Sequence, residues 1–168
     1  EATDRFIEQA DKEREIVELL SEAPTVTTLD LSHRIRSVKD QVHADYPEAA
    51  FKLDVPAVLE LNTTLEIGRA IEELLENAIV HSKEGPSEIR ITVSENEDIV
   101  EIEVSDTNPP IPSDERAVLR GDTQIDALTH TSGMGLWLVK RIVTRADGNL
   151  KLERRDSEGN RVTILLPA

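Results

Sequence analysis

The sequence predicts an α+β two-layer sandwich, a mixed and mostly antiparallel sheet with its helices on one face. Three observations carry this. The stretches 64–82 and 136–146 place apolar residues at helical spacing, several short alternating segments read as strands and hairpins, and the two kinds of element follow one another in mixed order with no internal repeat. A chain of 168 residues with 38% apolar content has room for one full core plus an appendage.

Residues 1 to about 22 carry Phe6, Ala10, Val17 and Leu20 among many charges, a helical stripe of coiled-coil type in which Glu13 occupies the missing seam position. Pro24 ends this helix and biases Ala23 towards extended geometry, so the expected division is a helical segment over 1–23 and one domain over 24–168. Thr25 to Leu31 reads as a short strand. Ser32 is the expected cap of a helix with Ile35, Val38 and Val42 on one side, stopped at Pro47. Ala50–Val55 and Val58–Leu61 read as two further strands. The strongest helix signal then runs from about Thr64 to Ser82, its apolar face made by Leu65, Ile67, Ala70, Ile71, Leu74, Leu75, Ala78 and Ile79. Ile89-Ile91-Val93 and Ile99-Ile102-Val104 straddle a polar turn as a hairpin, and a Pro-rich stop follows. Residues 113–132 lack periodicity and read as a long loop or lid. A helix over 136–146, closed by Asp147-Gly148, and a last hairpin, Leu150–Leu152 with Val162–Leu166, complete the domain.

Charge narrows the function classes. The 34 acidic and 19 basic residues leave a net charge of −15, which opposes binding to nucleic-acid phosphates or anionic lipid. The 13 Arg against 6 Lys, with this acid excess, suggest a protein of a salt-adapted organism; an ordinary acidic surface is the alternative. The absence of cysteine removes disulfides, thiolate metal sites and thiol nucleophiles. No apolar run approaches the roughly 18 residues that cross a bilayer, and the amino-terminal residues are too polar for a signal sequence. The expected setting is cytoplasmic, with the whole protein free or membrane-attached.

Three features carry chemistry. Glu73, Asn77 and His81 recur every fourth residue, a polar strip beside the apolar face of the long helix; alone, such a strip is more often a solvated face. Gly133-Met134-Gly135-Leu136 opens a helix, where backbone amides and the helix dipole favour phosphate; alone, it is more often a tight loop that needs glycine conformations. Asp106 follows a strand, where its carboxylate can accept from an exocyclic amine or simply start a turn.

In this order, the residues resemble the ATP-binding domain of sensor histidine kinases and their GHKL relatives, over about residues 25–168. Glu73-Leu74-Leu75-Glu76-Asn77-Ala78 resembles the family's N box, Asp106 with Ile111 its first glycine box, and Gly133 to Leu136 its second. Val118 to Asp122 is similar to the stretch entering the ATP lid. The resemblance implies ATP and Mg²⁺ as ligands, with Asn77 on the metal and Glu73 as general base or its water-orienting partner. It implies Asp106 on the adenine amino group, Gly133 and Gly135 amides on the phosphates, and Arg120 and His81 near them. It also implies a kinase acting on a histidine of a preceding helical hairpin, passing the phosphoryl group to a response regulator, in a protein that dimerises.

Two departures accompany the resemblance. Asn108 and Pro110 stand where the first glycine box has glycines, and the stretch from Ile111 to Gly133 is short for a lid. None of His33, His43, His81 and His130 suits the acceptor role, so the acceptor is expected upstream of residue 1, and the chain is expected to be a fragment. A degenerate nucleotide-binding or scaffolding module and a serine-directed kinase or ATPase of the same superfamily are the alternatives.

Overall fold

The computed structural model describes residues 10, 11, 14, 15, 17, 18, 21–80, 88–106, 134–155 and 159–168. Ten elements follow one another: β1 (Val26–Asp30), α1 (Leu31–Asp45), β2 (Ala50–Asp54), β3 (Glu60–Thr64), α2 (Ile67–Val80), β4 (Glu88–Glu95), β5 (Ile99–Asp106), α3 (Met134–Arg145), β6 (Asn149–Arg155) and β7 (Gly159–Pro167). Before them, the backbone is helical at Ala10, Asp11, Arg14, Glu15, Val17, Glu18 and Ser21. Phe6, Glu13 and Leu20 of the expected stripe lie outside the described residues, and Val17 is exposed.

The sheet has the order β2-β4-β5-β7-β6, parallel only between β2 and β4, while β1 and β3 form a separate antiparallel ribbon. Period-two alternation explains its covered face: Ile89, Ile91 and Val93 of β4 and Val100, Ile102 and Val104 of β5 are buried, while Arg90 and Ser94 are exposed. Val162, Ile164 and Leu166 continue that face on β7. Onto it pack Ile67, Ala70, Ile71, Leu74, Leu75 and Ala78 of α2 and Leu136, Leu138, Val139, Ile142 and Val143 of α3, forming one core with Leu31, Ile35, Val38 and Val42 of α1. This is the expected α+β sandwich.

Local chemistry moves several boundaries. Asp30, not Ser32, caps α1: its Oδ1 accepts from the His33 N–H at 3.3 Å and the Leu59 N–H at 3.1 Å, whereas Ser32 is fully buried inside the helix. The Leu59 hydrogen bond, with smaller help from His33 and Ser32, holds the Asp30 carboxyl below the usual carboxylate range. The third strand runs over 60–64 rather than 58–61, because Pro56 and Ala57 form a loop whose carbonyls accept from Arg36 at 2.8 and 3.1 Å, and Val58 is left exposed. Thr64 accordingly belongs to β3, and Leu65 lies exposed in the turn before α2 rather than on its apolar face.

Helix α3 begins at Met134, two residues earlier than the periodicity predicts, and closes on a left-handed Asp147 with φ 58°. The Gly148 N–H then reaches back to the Val143 carbonyl at 2.9 Å, a Schellman closure. A β-carbon on Gly148 would stand 2.5 Å from the Leu165 carbonyl oxygen of β7, so only glycine fits this approach.

Candidate functional site

Glu73 and Asn77 sit one turn apart on α2, whose packing on the core fixes their common side. Glu73 is 3% exposed, and a carboxylate buried to that degree is costly without a counter-charge. Arg69, one turn earlier, supplies it: Nη2 donates to Glu73 Oε1 at 2.5 Å. Asn77 is half-buried. His81, the last member of the predicted strip, lies outside the described residues.

Asp106 is the last residue of β5, central in the sheet between β4 and β7, and stands opposite Ile89 on one side and Asn160 on the other. Its Oδ1 accepts from Asn160 Nδ2 at 3.3 Å. Asn160 is buried and Asp106 half-buried, so the carboxylate sits at the end of the sheet interior.

The early start of α3 bears on the glycine motif. Gly135 falls within the first helical turn, where the backbone N–H groups have no partner inside the helix and are directed outwards with the positive end of the dipole. Leu136 is buried and anchors that turn in the core. Helix α2 packs on both α3 and β5, so Glu73, Asn77, Asp106 and Gly135 stand on α2 or on an element that contacts it. Ile111, Arg120 and Gly133 lie outside the described residues, as does the side chain of Met134.

Three polar groups escaped the sequence reading. Arg69 was visible in principle, four residues before Glu73 and so on the same helix face. Asn160 could be found only after pairing β5 with β7, which places it opposite Asp106. Glu15, which accepts from Arg69, is 54 residues away and left no local signal.

Residues 62–168 match the family model of the histidine kinase-, DNA gyrase B- and HSP90-like ATPases. The chain belongs to this ATPase family. Glu73, Asn77, Asp106 and Gly133 to Leu136 all lie within the matched family segment. A sensor protein kinase, CarS of Pseudomonas aeruginosa, is 38% identical over 95 residues, covering 56% of this chain and 21% of CarS. The sensor-like histidine kinase SenX3 of Mycobacterium tuberculosis is 29% identical over 154 residues, covering 86% of this chain and 37% of SenX3. The chain thus spans between about a fifth and two-fifths of these curated relatives. These organisms do not bear out the expected salt adaptation.

Solved structures of the family share the fold. The nucleotide-free catalytic domain of the histidine kinase ThkA superposes with a TM-score of 0.72 at 21% identity, over 85% of this chain and 95% of that one. ThkA in complex with the response regulator TrrA gives a TM-score of 0.77 at 20% identity, over 98% of this chain and 48% of that one. Among the described residues no helix is long and apolar enough to cross a membrane.

Proposed function

We propose that this chain is the ATP-binding catalytic domain of a sensor histidine kinase, transferring the γ-phosphoryl group of ATP to a histidine nitrogen on a preceding helical hairpin. The observation that carries the proposal is Glu73, a buried and ion-paired carboxylate one turn before Asn77 inside the segment the family model matches. Residues 1–23 are then the end of a helical segment and 24–168 the catalytic domain.

Glu73 acts as the general base, or orients the group that does, as the bond from phosphorus to imidazole nitrogen forms, the bond to the β-phosphate oxygen breaks and ADP leaves. The proton lost by the imidazole passes to the carboxylate. Asp106 accepts a hydrogen bond from the adenine amino group, with Ile111 beside the base, and the amides of Gly133 to Leu136 cradle the phosphates with His81 and Arg120. Asn77 offers a hard amide oxygen suited to Mg²⁺. Such an ion keeps several waters and takes the rest of its shell from phosphates. Bound there, Mg²⁺ would neutralise developing phosphate charge.

Calorimetry with Mg-ATP on this chain tests the assignment. Asn77→Ala is expected to lose the metal-dependent part of binding, and Asp106→Ala the preference for adenine over guanine; unchanged affinity in both would remove the site. Transfer of labelled phosphate to a histidine of the full-length protein, and on to a response regulator of the kind ThkA binds, tests the whole reaction. The full-length protein is expected to act as a dimer in the cytoplasm or at its membrane. Asn108 and Pro110 favour one second reading, a module that binds nucleotide without turnover, and tight binding with no transfer would select it. Salt adaptation rests on composition alone, and folding that persists in low salt would remove it.

A further inference from the structure

Arg69 has no part in the steps above, yet its guanidinium joins two distant parts of the chain. Nε and Nη2 both donate to the Glu15 carboxylate, Nη2 at 3.2 Å to Oε2, a two-pronged pair that fixes orientation as well as distance. The same Nη2 donates to Glu73 Oε1 at 2.5 Å, and Glu72 Oε2 stands 4.0 Å from Nη1. Glu15 belongs to the amino-terminal helical segment and Glu73 to α2. Burial works against the Arg69 charge, but the Glu15 hydrogen bond and the charges of Glu73, Glu15 and Glu72 outweigh it and raise the guanidinium further above its ordinary range.

A tie that only fastened the amino-terminal segment would not need to end on Glu73. Such a tie exists elsewhere: Arg145 of α3 donates to Glu66 at 3.0 Å and to the Glu22 carbonyl at 2.6 Å, holding the junction between the segment and β1. The Arg69 bridge differs in its far end, the carboxylate assigned above as the base. With Oε1 held by a guanidinium that is itself gripped by Glu15, the Glu73 side chain loses rotational freedom about its own bonds. We propose that Arg69 is a positioning residue for Glu73 and that Glu15 sets Arg69, so that the seating of the amino-terminal segment governs the orientation of the base. This rests on the reading of Glu73 given above.

The test measures phosphoryl transfer in the full-length protein for Glu15→Gln, Arg69→Met, Arg69→Lys and Glu73→Gln, with Mg-ATP affinity and thermal stability beside it. Arg69→Met is expected to lower kcat about tenfold or more with KM for ATP within about twofold, the split that marks loss of an interaction made only in the transition state. Arg69→Lys, which keeps the charge without the fork, recovers part of the loss. Glu15→Gln leaves α2 chemically intact and lowers kcat by a smaller factor. In a Glu73→Gln background that factor falls to about one, because the two residues act as one unit. Unchanged kcat in Glu15→Gln and Arg69→Met with an impaired Glu73→Gln overturns the positioning role alone. An equal loss from Glu15→Gln in both backgrounds overturns it too, as does loss of ATP affinity in step with kcat. A Glu73→Gln protein with undiminished kcat overturns the base assignment and, with it, this proposal.

Discussion

Glu73 and Asp106 are both carboxylates at the margin of the core, and they are held in opposite ways. Glu73 is buried inside a helix and meets a full positive charge, the Arg69 guanidinium, while Asp106 ends a strand, is half-buried and meets a neutral amide, that of Asn160. A buried, charge-paired carboxylate is suited to a reaction step, where a fixed direction matters. A carboxylate beside an amide, with one face towards solvent, is suited to accept a hydrogen bond from a neutral ring. On the proposed roles, the two acids are expected to contribute to different observables, rate for one and affinity for the other.

Substitutions can break that division. Glu73→Gln is expected to have the largest effect, lowering phosphoryl transfer by about 10²–10⁴-fold while Mg-ATP affinity by calorimetry stays near wild type. Asp106→Ala comes next: ATP affinity falls about 10- to 100-fold, the cost of a hydrogen bond to a charged group, with the rate at saturating ATP retained. The reverse pattern in these two variants would mean that the roles are exchanged. Asn160→Ala is a milder variant, since it removes a hydrogen-bond donor to Asp106 and keeps the carboxylate. It is expected to weaken ATP binding by roughly two- to tenfold, less than Asp106→Ala because the carboxylate itself remains, and to leave kcat alone.

A third carboxylate, Asp30, serves as a reference outside the site. Its carboxyl is depressed in the folded chain by the Leu59 N–H first and the His33 N–H second, so its contribution to stability is present above the unfolded value of about 3.9 and is lost as pH falls through the lower folded value. Acid titration followed by circular dichroism should show this loss, and Asp30→Asn should flatten it while ATP affinity at neutral pH stays unchanged.

Periodicity made much of this molecule legible. The apolar residues from Ile67 to Ala78 and from Ile89 to Val93 are buried as their spacing requires, because core burial is what generates such patterns, whereas on β5 the buried place before Ile102 is taken by Val100 and the expected Ile99 is exposed. Boundaries moved where a single hydrogen bond decided them: Asp30 took the cap from Ser32 because the Leu59 N–H of a distant loop also needed an acceptor. In the candidate site, Glu73, Asn77 and Asp106 were legible as residue types in the right order. Their supports were not. Arg69 reads as one more charge on an acidic helix until Glu15 is brought beside it, and Asn160 reads as a turn residue until the β5–β7 register is known. Pairing across the fold has no period, so it leaves no trace in the local sequence.

The parallel pairing of β2 with β4 has a consequence for how the chain reaches this state. β4 and β5 close on each other across a short turn, and β6 and β7 pair with three residues between them in the chain, whereas Ala50 finds Glu88 only after β3 and α2 have been laid down between them. Loop closure of that length costs entropy before any contact rewards it, so the hairpins form early and β2 is added late as the edge strand. Leu53→Ala should therefore speed unfolding and leave the refolding rate nearly unchanged, the behaviour of a side chain whose contacts form after the rate-limiting step.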